Sequence, residues 1–452
     1  MESAADHADT IVAISSASGR SALSIVRLSG AGSAEIGWQL LSPYPARPRH
    51  ATLTIARDPA SGVVLDQLIA VRYDAPASYT GEAMLELSCH GGHATSRAIL
   101  ASCLSLGART ARSGEFTRRA LLNGKLDLAQ AEAVADLIDA ASEPMRRIAL
   151  GTVGGGLSKQ VGELRAAILQ LEALMAYSVD FPEEDDGEIP RDRTMRMARD
   201  VCSRVGALLS TAGRGAIIRD GALVVLAGPP NAGKSSLFNA LLGQERAIVT
   251  EIAGTTRDAI EHPCLIGQWP VRLVDTAGLR LSDDLVERLG IEVSERYVKD
   301  ADVGIVCSDG ASGAGRQMEE IVRGLGAAET LFVETKIDVR ESERFADDAL
   351  CVSATTGAGL AELKAAIAAT LDARYGRVDY ESPVITHTRH EAALKHAADE
   401  LSLFIDAMEK HMTPTIAAVH LRAAVVLLEE IIGAVSVDDL LDEVFSRFCI
   451  GK

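Results

Sequence analysis

The sequence predicts a multidomain chain with α/β and all-α parts: a small α+β domain first, then a discontinuous helical bundle with a nucleotide-binding P-loop domain inserted into it. Three observations predict this. A phosphate-loop motif follows a short apolar run near the middle of the chain, apolar residues at helical spacing lie on both sides of it, and strand-like alternation occurs near the N-terminus. A chain of 452 residues is also too long for one ordinary domain. We predict domains at residues 1–123, 124–220, 221–382 and 383–452, the second and fourth segments forming one bundle.

The composition is that of a globular protein, with 47% hydrophobic and 24% charged residues, enough to bury a core. The formal net charge of -18 excludes a surface that is basic throughout, so an RNA partner requires a local basic patch. The seven cysteines include no C-x-x-C pair, which argues against zinc and iron–sulfur sites. The N-terminus has no signal-peptide pattern and no apolar run reaches membrane-spanning length, so we expect a soluble cytoplasmic protein without a membrane partner.

The first 123 residues carry the patterns of a small α+β domain. Strands are predicted at residues 10–14, 24–28, 64–71 and 83–87, and helices at 33–41 and 94–106. Arg27 and Glu86 fall within two of these strands, and periodicity alone favours a solvent-facing position for both. His90 and His93 flank two glycines, a pattern more typical of a loop than of a metal site.

Apolar residues recur at helical spacing before and after the phosphate loop. One helix is predicted from Leu126 to Ile138, and a long one after the glycines at 154–156. The apolar seam of the long helix consists of Leu157, Val161, Leu164, Ile168, Leu171 and Met175. Two further seams follow Pro383, one at Leu394, Ala398, Leu401, Ile405 and Met408, the other at Leu421, Val425, Leu428, Ile432 and Val435. Because all these seams have to be buried, we predict one bundle. The acidic run at 182–188 is expected to be a solvated loop.

Residues Gly228 to Ser235, GPPNAGKS, match the phosphate-loop pattern G-x-x-x-x-G-K-[ST]. A predicted strand, residues 223–227, precedes them and a predicted helix follows, which is the context that the motif requires. Backbone N–H groups of such a loop surround phosphate oxygens. Lys234 is expected to contact the β- and γ-phosphates, and Ser235 is expected to bind Mg²⁺.

Three more motifs follow in the order typical of GTPases. In GTTRD, either Thr255 or Thr256 supplies a hydroxyl to Mg²⁺ when the γ-phosphate is present. In DTAG, Asp275 ends a predicted strand and is placed to hold Mg²⁺ through water, and the N–H of Gly278 is placed to contact the γ-phosphate. In TKID, Asp338 accepts two N–H bonds from guanine, which adenine cannot offer.

Further residues complete the predicted site. Lys336 lies along the face of the base, and the Ser353-Ala354 pair follows another short strand. Leu279, the residue after DTAG, cannot orient the attacking water as the glutamine of Ras-type GTPases does, so hydrolysis requires another group. Two interpretations of Asn231 remain open: its amide oxygen binds a cation beside the phosphates, or it only orders the loop.

With the motifs GPPNAGKSSL, TEIAGTTRD, DTAGLR and the terminal FCIGK, the chain resembles bacterial tRNA-modification GTPases of the MnmE (TrmE) family. YTGE, HGG, GEFTRRA and LDLAQAEAVADLIDA match as well, so the resemblance extends over essentially the full length. It implies an N-terminal domain similar to tetrahydrofolate-binding domains and an inserted P-loop G domain of the Ras-like kind.

The resemblance also implies a function. Family members hydrolyse GTP with K⁺ stimulation. Together with the flavoprotein MnmG they add an aminomethyl or carboxymethylaminomethyl group to C5 of the wobble uridine of certain tRNAs. The one-carbon unit comes from a tetrahydrofolate derivative, in the 5-formyl or methylene form, and FAD is bound by the partner. Members are homodimers that assemble with MnmG into a heterotetramer.

Matching positions imply the site residues. The GTP-binding positions are Asn231, Ala232, Gly233, Lys234, Ser235, Ser236, Thr250, Glu251, Ile252, Ala253, Gly254, Thr255, Thr256, Asp275, Thr276, Ala277, Gly278, Thr335, Lys336, Asp338, Ser353, Ala354 and Thr355. The implied K⁺ ligands are Asn231, Thr250, Ile252 and Thr255, and the implied Mg²⁺ ligands are Ser235 and Thr256. Glu287 is implied as the catalytic residue that orients the attacking water. The implied folate-binding residues are Arg27, Glu86, Lys125 and Lys452, which replaces the solvent-facing interpretation of Arg27 and Glu86. Cys449 matches a functional thiol whose role stays open.

The chain departs from the family pattern at two motif positions. Thr335 stands where the family usually has asparagine, which is expected to loosen the base pocket, and Pro229 replaces a usual arginine. The alternative function is a ribosome-assembly GTPase of the Era or EngA kind, since such proteins share the phosphate loop and the asparagine at position 231. They also carry a KH-like RNA-binding module, and this sequence shows no GXXG loop with basic flanks. An ATPase is opposed by TKID and by Ser353-Ala354.

Overall fold

A computed structural model describes residues 9–17, 19–180, 191–243, 261–275, 296–309, 314–339, 349–376, 382–433, 438–446 and 448–451. The chain divides into two compact units, Met1–Ala135 with Glu429–Lys452, and Asp136–Leu428. The strands are β1 (Ile11–Ile14), β2 (Leu23–Ser29), β3 (Leu41–Ser42), β4 (Thr52–Arg57), β5 (Val64–Tyr73), β6 (Met84–His90), β7 (Arg109–Thr110), β8 (Ala222–Ala227), β9 (Glu261–Ile266), β10 (Trp269–Asp275), β11 (Val303–Ser308), β12 (Thr330–Glu334) and β13 (Leu350–Cys351). The helices are α1 (Ser33–Leu40), α2 (His93–Ser105), α3 (Glu115–Leu122), α4 (Leu128–Asp139), α5 (Glu143–Val153), α6 (Gly156–Asp180), α7 (Arg191–Leu209), α8 (Ala212–Asp220), α9 (Lys234–Gly243), α10 (Ala314–Leu325), α11 (Leu360–Tyr375), α12 (Thr388–Glu409), α13 (Pro414–Ile432) and α14 (Asp438–Ser446).

The first unit is built on a seven-stranded sheet in the order β3-β4-β5-β6-β2-β1-β7. All neighbouring strands are antiparallel except the β1–β7 pair. Alternate residues of β2 and β6, among them Val26, Leu28 and Leu85, are buried with Ile36 of α1 and Ile99 of α2. The four predicted strands and two predicted helices of this unit are confirmed.

Strand β4 was not predicted, because its alternation is inverted. Thr54 and Ala56 are buried, whereas Leu53 is exposed. A pattern that places small and polar side chains inward does not resemble the half-buried strand that apolar periodicity detects. Its partner β5 also exposes Ile69, directly opposite Leu53. One face of the sheet is therefore covered by α1 and α2. The other carries exposed apolar side chains at β4 and β5, and Phe116 of α3 packs on it against Ile11 and Ala13 of β1.

The last described residues of the chain return to the first unit. Phe445 and Phe448 pack with Leu128 of α4 in a small apolar cluster. Gly114, whose φ is 65°, lies so close to them that a Cβ there would come within 2.8 Å of Phe445 and 2.9 Å of Phe448. Its N–H donates to the carbonyl of Cys449 over 3.3 Å. Residues 449–451 of the terminal CIGK motif are thereby held beside the GEFTRRA segment.

The predicted long helix and its apolar seam are confirmed in α6. Every seam residue from Leu157 to Met175 is buried, and α6 packs against α7, which in turn packs against α12. Arg422 of α13 also pairs with Glu172 of α6 over 3.7 Å. Helices from both sides of the nucleotide-binding segment therefore form one bundle. In the part of the chain that the structure describes, every helix falls short of the length and apolar character that a membrane crossing requires.

The seam predicted on α12 is wrong at three of its five positions. Leu394 and Leu401 are buried, but Ala398, Ile405 and Met408 are only half-buried. The buried residues are instead Ala397, Phe404 and Ala407, each one position earlier. Adjacent apolar residues make both assignments compatible with helical spacing, so the packing partner decides between them.

Two other sequence predictions, the solvated loop at 182–188 and the seam position Val435, lie outside the described residues.

The second unit contains a six-stranded sheet in the order β13-β12-β11-β8-β10-β9. All its pairs are parallel except β9–β10. All six residues of β8 are buried, because apolar residues of α9 and α11 cover one face of the sheet and residues of α10 cover the other. This is the open, doubly covered parallel sheet that the phosphate-loop context predicts.

Gly215 of α8 is where the segments entering and leaving the nucleotide-binding region meet. A Cβ there would lie 1.9 Å from the carbonyl oxygen of Ile385, whose N–H donates to the hydroxyl of Thr211 over 3.0 Å. We expect Gly215→Ala to lower the free energy of unfolding by about 1–3 kcal/mol, since the backbones must separate. Gly213→Ala, in the same helix with open space around it, is the control and is expected to stabilise by up to about 1 kcal/mol. Equal effects in denaturant titrations would contradict the close approach.

Candidate nucleotide-binding site

The predicted nucleotide-binding residues that the structure describes gather at one edge of the second sheet. The phosphate loop follows β8, Asp275 ends β10, Thr335 follows β12, and Ser353 comes shortly after β13. These four strands run parallel, so their carboxyl ends lie on the same side. Ligands of open α/β sheets bind at this edge.

The phosphate loop is shaped by backbone conformations that its residues permit. Gly228 has a φ of 149°, and a Cβ there would lie 2.4 Å from the carbonyl oxygen of Cys307. Asn231 and Gly233 have φ angles of 62° and 80°, which glycine tolerates best and asparagine better than most residues. The ammonium group of Lys234 donates to the carbonyls of Gly228 and Pro229, both at 2.8 Å. Its positive charge is therefore held inside the loop, at the N-terminus of α9.

Ser235 and Asp275 meet beside this loop. The hydroxyl of Ser235 donates to Oδ2 of Asp275 over 2.7 Å, across two strands that pair in parallel. A hydroxyl and a carboxylate oxygen at this distance fit Mg²⁺, a hard cation that prefers oxygen ligands and keeps several waters. These two residues would hold the ion, and it would supply positive charge beside the β- and γ-phosphates.

A cavity of about 230 Å³ lies next to the phosphate loop. It is lined by Gly233, Ser236, Leu237, Thr335, Lys336, Asp338, Val339, Val352, Ala354 and Thr355. Ser353 donates from its hydroxyl to Oδ1 of Asp338 over 2.6 Å, which orients the carboxylate at the cavity. The structure thus brings together the TKID motif and the Ser353-Ala354 pair, as the sequence predicts for a base pocket.

Two residues of TKID hold the phosphate loop directly. The hydroxyl of Thr335, which is buried, donates to the carbonyl of Ala232 over 2.7 Å. Nζ of Lys336 donates to the carbonyl of Asn231 over 2.6 Å. The expectation that threonine at position 335 loosens the pocket stays a prediction; its hydroxyl connects the TKID motif to the phosphate loop.

Several predicted site residues lie outside the described part of the chain. They are Thr250, Glu251, Ile252, Ala253, Gly254, Thr255, Thr256, Thr276, Ala277, Gly278, Leu279, Glu287 and Lys452. The implied K⁺ ligands apart from Asn231, the second Mg²⁺ ligand and the implied catalytic residue are all in this group. Their assignments stay predictions.

The first unit carries a separate polar cluster on the sheet face opposite α1 and α2. Arg27 and Glu86 are directly opposite each other on β2 and β6, and Nη2 of Arg27 lies 2.8 Å from Oε1 of Glu86. Their side chains are only 16% and 22% exposed, so the solvent-facing position that periodicity favours is wrong: a paired charge can be covered where a lone one cannot. The rings of Tyr79 and Phe116, which the sequence patterns did not single out, each lie 5.6 Å from the Arg27 guanidinium.

The remaining residues implied near this cluster have other contacts. The ammonium group of Lys125 donates to the carbonyl of Pro76 over 3.2 Å. Cys449 is exposed and is not part of a disulfide. Nη1 of Arg27 donates to the carbonyl of Gly451 over 3.4 Å, so the terminal motif reaches the Arg27–Glu86 pair. His90, at the end of β6, pairs with Asp66 over 2.7 Å, and His93 begins α2.

Comparison with known proteins places the chain in a family. Residues 128–449 match the family described as the MnmE helical domain, and residues 10–125 match the GTP-binding protein TrmE N-terminus. The tRNA modification GTPase MnmE of Azoarcus sp. (strain BH72) is 43% identical over 451 residues, which cover 98% of each chain. The chain belongs to the MnmE family of tRNA modification GTPases. Because this similarity covers the full length, the alternative of an Era- or EngA-type assembly GTPase is set aside.

A second MnmE relative agrees with this membership. The tRNA modification GTPase MnmE of Aquifex aeolicus (strain VF5) is 41% identical over 450 residues, covering 98% of this chain and 100% of that protein. Among solved structures, the G domain of the T. maritima FeoB iron transporter is 26% identical and covers 32% of this chain and 96% of its own, with a TM-score of 0.26. Like other MnmE proteins, the chain combines a TrmE-type N-terminal domain, a helical domain and a P-loop G domain.

Proposed function

We propose that the chain is a K⁺-stimulated GTPase that acts with the flavoprotein MnmG on the wobble uridine of certain tRNAs in the cytoplasm. The pair adds an aminomethyl or carboxymethylaminomethyl group to C5 of that uridine, with a one-carbon unit from a tetrahydrofolate. The GTP-binding part of this proposal rests on one observation. The phosphate loop, the Ser235–Asp275 pair and the Asp338–Ser353 pair all lie at one edge of the second sheet. Family membership supports the tRNA half.

In the proposed hydrolysis cycle, each described residue has a distinct role. Lys234 would neutralise the phosphates, Ser235 would ligate Mg²⁺, and Asp275 would hold the ion through water. Asp338 accepts N–H bonds from guanine, and Ser353 keeps its carboxylate in the base plane. We assign the orientation of the attacking water to Glu287 and the second Mg²⁺ hydroxyl to Thr256, since Leu279 cannot serve in the first role.

Asn231 is proposed to give its side-chain oxygen to K⁺, with backbone carbonyls from Thr250, Ile252 and Thr255. The positive φ of Asn231 and the contact of Lys336 with its carbonyl hold this residue in one conformation at the phosphates. We expect GTP hydrolysis at least about tenfold faster in KCl than in NaCl at equal ionic strength, because a fixed cation stabilises charge in the transition state. Asn231→Ala should hydrolyse GTP equally slowly in both salts. Equal rates for the unsubstituted protein would remove the cation site.

The folate half of the proposal rests on Arg27, Glu86, Lys125 and Lys452. Arg27 and Glu86 lie on the sheet face opposite α1 and α2. Together with the rings of Tyr79 and Phe116 they provide a cation, a carboxylate and two aromatic rings, a combination suited to a reduced pterin with its N–H donors and planar ring.

Leu53 and Ile69, 63% and 45% exposed, lie on the same sheet. Such an apolar face supports homodimerisation through this unit, with MnmG added to give the proposed heterotetramer.

Mass spectrometry of tRNA nucleosides tests the whole proposal. Cells that lack the gene are expected to accumulate wobble uridines without the C5 group, and the intact gene is expected to restore them. A copy with Lys234→Ala, which lacks the phosphate-loop ammonium group, should not restore them. Full modification in the deletion strain would overturn the proposed function.

A further inference from the structure

One hydroxyl group beside the Arg27–Glu86 pair, on the sheet face opposite α1 and α2, has no role in the function described so far. Tyr73 lies on β5, two residues after Val71, which is directly opposite Glu86 of β6. Since side chains two residues apart share a face of a strand, Tyr73 projects from the same face as the Arg27–Glu86 pair. Its hydroxyl donates to Oε2 of Glu86 over 3.1 Å.

The Glu86 carboxylate is consequently held by both of its oxygens. Oε1 accepts a hydrogen bond from Nε of Arg27 at 2.9 Å and lies 2.8 Å from Nη2 of the same guanidinium, and Oε2 accepts from Tyr73. A carboxylate has about four acceptor positions, and the described contacts occupy three of them. The remaining position is on Oε2, the oxygen that Tyr73 orients.

The environment keeps Tyr73 in the state that can donate. Burial, and after it the negative charge and hydrogen bond of Glu86, raise the pKa of the Tyr73 phenol above its ordinary value of 10.0. The hydroxyl therefore stays protonated at neutral pH. Without the Tyr73 hydroxyl, the Glu86 carboxylate would be held at Oε1 only and would be free to rotate about its Cγ–Cδ bond.

We propose that Tyr73 is a positioning residue of the tetrahydrofolate site: it fixes the Glu86 carboxylate so that Oε2 can accept an N–H group of a reduced pterin. This inference rests on the proposed folate-binding function of Glu86. It adds to that function a residue that acts through Glu86 rather than by touching the reacting atoms.

Binding of 5-formyltetrahydrofolate to the full-length protein, measured by calorimetry, tests the proposal. Tyr73→Phe removes only the hydroxyl and is expected to raise Kd about tenfold, as for the loss of a hydrogen bond to a charged group. Tyr375→Phe is the matched control: its hydroxyl also donates to a carboxylate, that of Asp302 in the second unit, and it has no proposed role in folate binding. We expect the control to change Kd less than about twofold, and thermal unfolding to be the same for both. Equal Kd values for the two variants would overturn the proposal.

A double variant separates positioning from a general structural effect. In a Glu86→Ala background, Tyr73→Phe is expected to have no further effect on Kd, since its partner is gone. A full tenfold effect in that background would overturn the role through Glu86. If Glu86→Ala itself binds the folate as tightly as the unsubstituted protein, the proposed folate site fails and the role of Tyr73 fails with it. If Glu86→Ala loses binding but Tyr73→Phe does not, only the role of Tyr73 fails.

Discussion

Replacing Asp338 by asparagine is expected to lower GTP affinity roughly 100-fold to 1,000-fold and to create affinity for xanthosine triphosphate. The carboxylate is proposed to accept two N–H bonds from guanine, and Ser353 fixes its orientation through a 2.6 Å hydrogen bond. An asparagine presents one donor in place of an acceptor, so one guanine N–H meets another N–H. Xanthine has a carbonyl where guanine has its amino group and would accept from that amide. Competition with a fluorescent guanine nucleotide measures both affinities.

The matched control is Asp309→Asn, the same change at a carboxylate that lies 3.8 Å from Lys336 and is not proposed to contact the base. It is expected to change GTP affinity less than about threefold, because an exposed pair of this length contributes little. If Asp338→Asn kept the affinity for GTP and ignored xanthosine triphosphate, base recognition would have to be assigned to another residue.

The second large effect is expected from Arg119 in the first unit. This guanidinium is 3% exposed and contacts three carboxylates, at 2.6 Å for Asp9, 3.2 Å for Glu82 and 3.1 Å for Glu115. Arg119→Met would leave Asp9 and Glu115 with Arg109 as their arginine partner, and Glu82 would lose its ion pair. We expect it to lower the free energy of unfolding by about 3–5 kcal/mol, the cost of removing one partner of a buried ionic network. Denaturant titration of the isolated variant and the unsubstituted protein gives the difference.

Arg57→Met provides the control for the loss of an arginine from the same sheet. Arg57 ends β4 and is exposed, and its guanidinium donates to the carbonyl of Gly62 over 3.3 Å. We expect a change of less than about 0.5 kcal/mol, as for most surface substitutions. Equal destabilisation by the two variants would show that the Arg119 network does not stabilise the unit beyond ordinary side-chain packing.

The same network predicts how the difference depends on pH. Burial acts to raise the pKa values of Asp9 and Glu115, but hydrogen bonds from arginine, chiefly from Arg109, outweigh it and hold both below their ordinary values of 3.8 and 4.5. A depressed folded-state pKa contributes stability that is present above the unfolded-state pKa and is lost as pH falls through the folded-state pKa. The difference in free energy of unfolding between the unsubstituted protein and Arg119→Met should therefore be largest near pH 7 and decrease below about pH 4.

The elements and the order of the nucleotide motifs could be predicted because they depend on residues close together in the chain. The phosphate loop needs a buried strand, two glycines and a helix start within 20 residues or so, and the α6 seam needs only one repeated spacing. Both predictions are confirmed. The inverted alternation of β4 shows the limit of this reasoning, since its apolar side chains face outward.

Contacts between distant residues could not be predicted in the same way. Periodicity assigns a residue to a face of a strand, but the pairing of strands decides what lies opposite it. Arg27 and Glu86 are 59 positions apart, and only the adjacency of β2 and β6 turns two charges that favour solvent into a covered ion pair. Likewise, the hydroxyl of Thr335 donates to the carbonyl of Ala232, 103 positions earlier in the chain, a contact that spacing along the sequence does not predict.

By itself, then, the sequence determined that a P-loop nucleotide site lies between two parts of a helical bundle and follows a small α+β domain. The tertiary structure decided which side chains act together: Asp338 with Ser353, Ser235 with Asp275, and Tyr73 with Glu86. The physical reason is that loop and helix formation depend on local backbone preferences and short-range spacing, whereas hydrogen bonds and ion pairs between segments depend on strand order and register. Those in turn follow from the packing of the whole core.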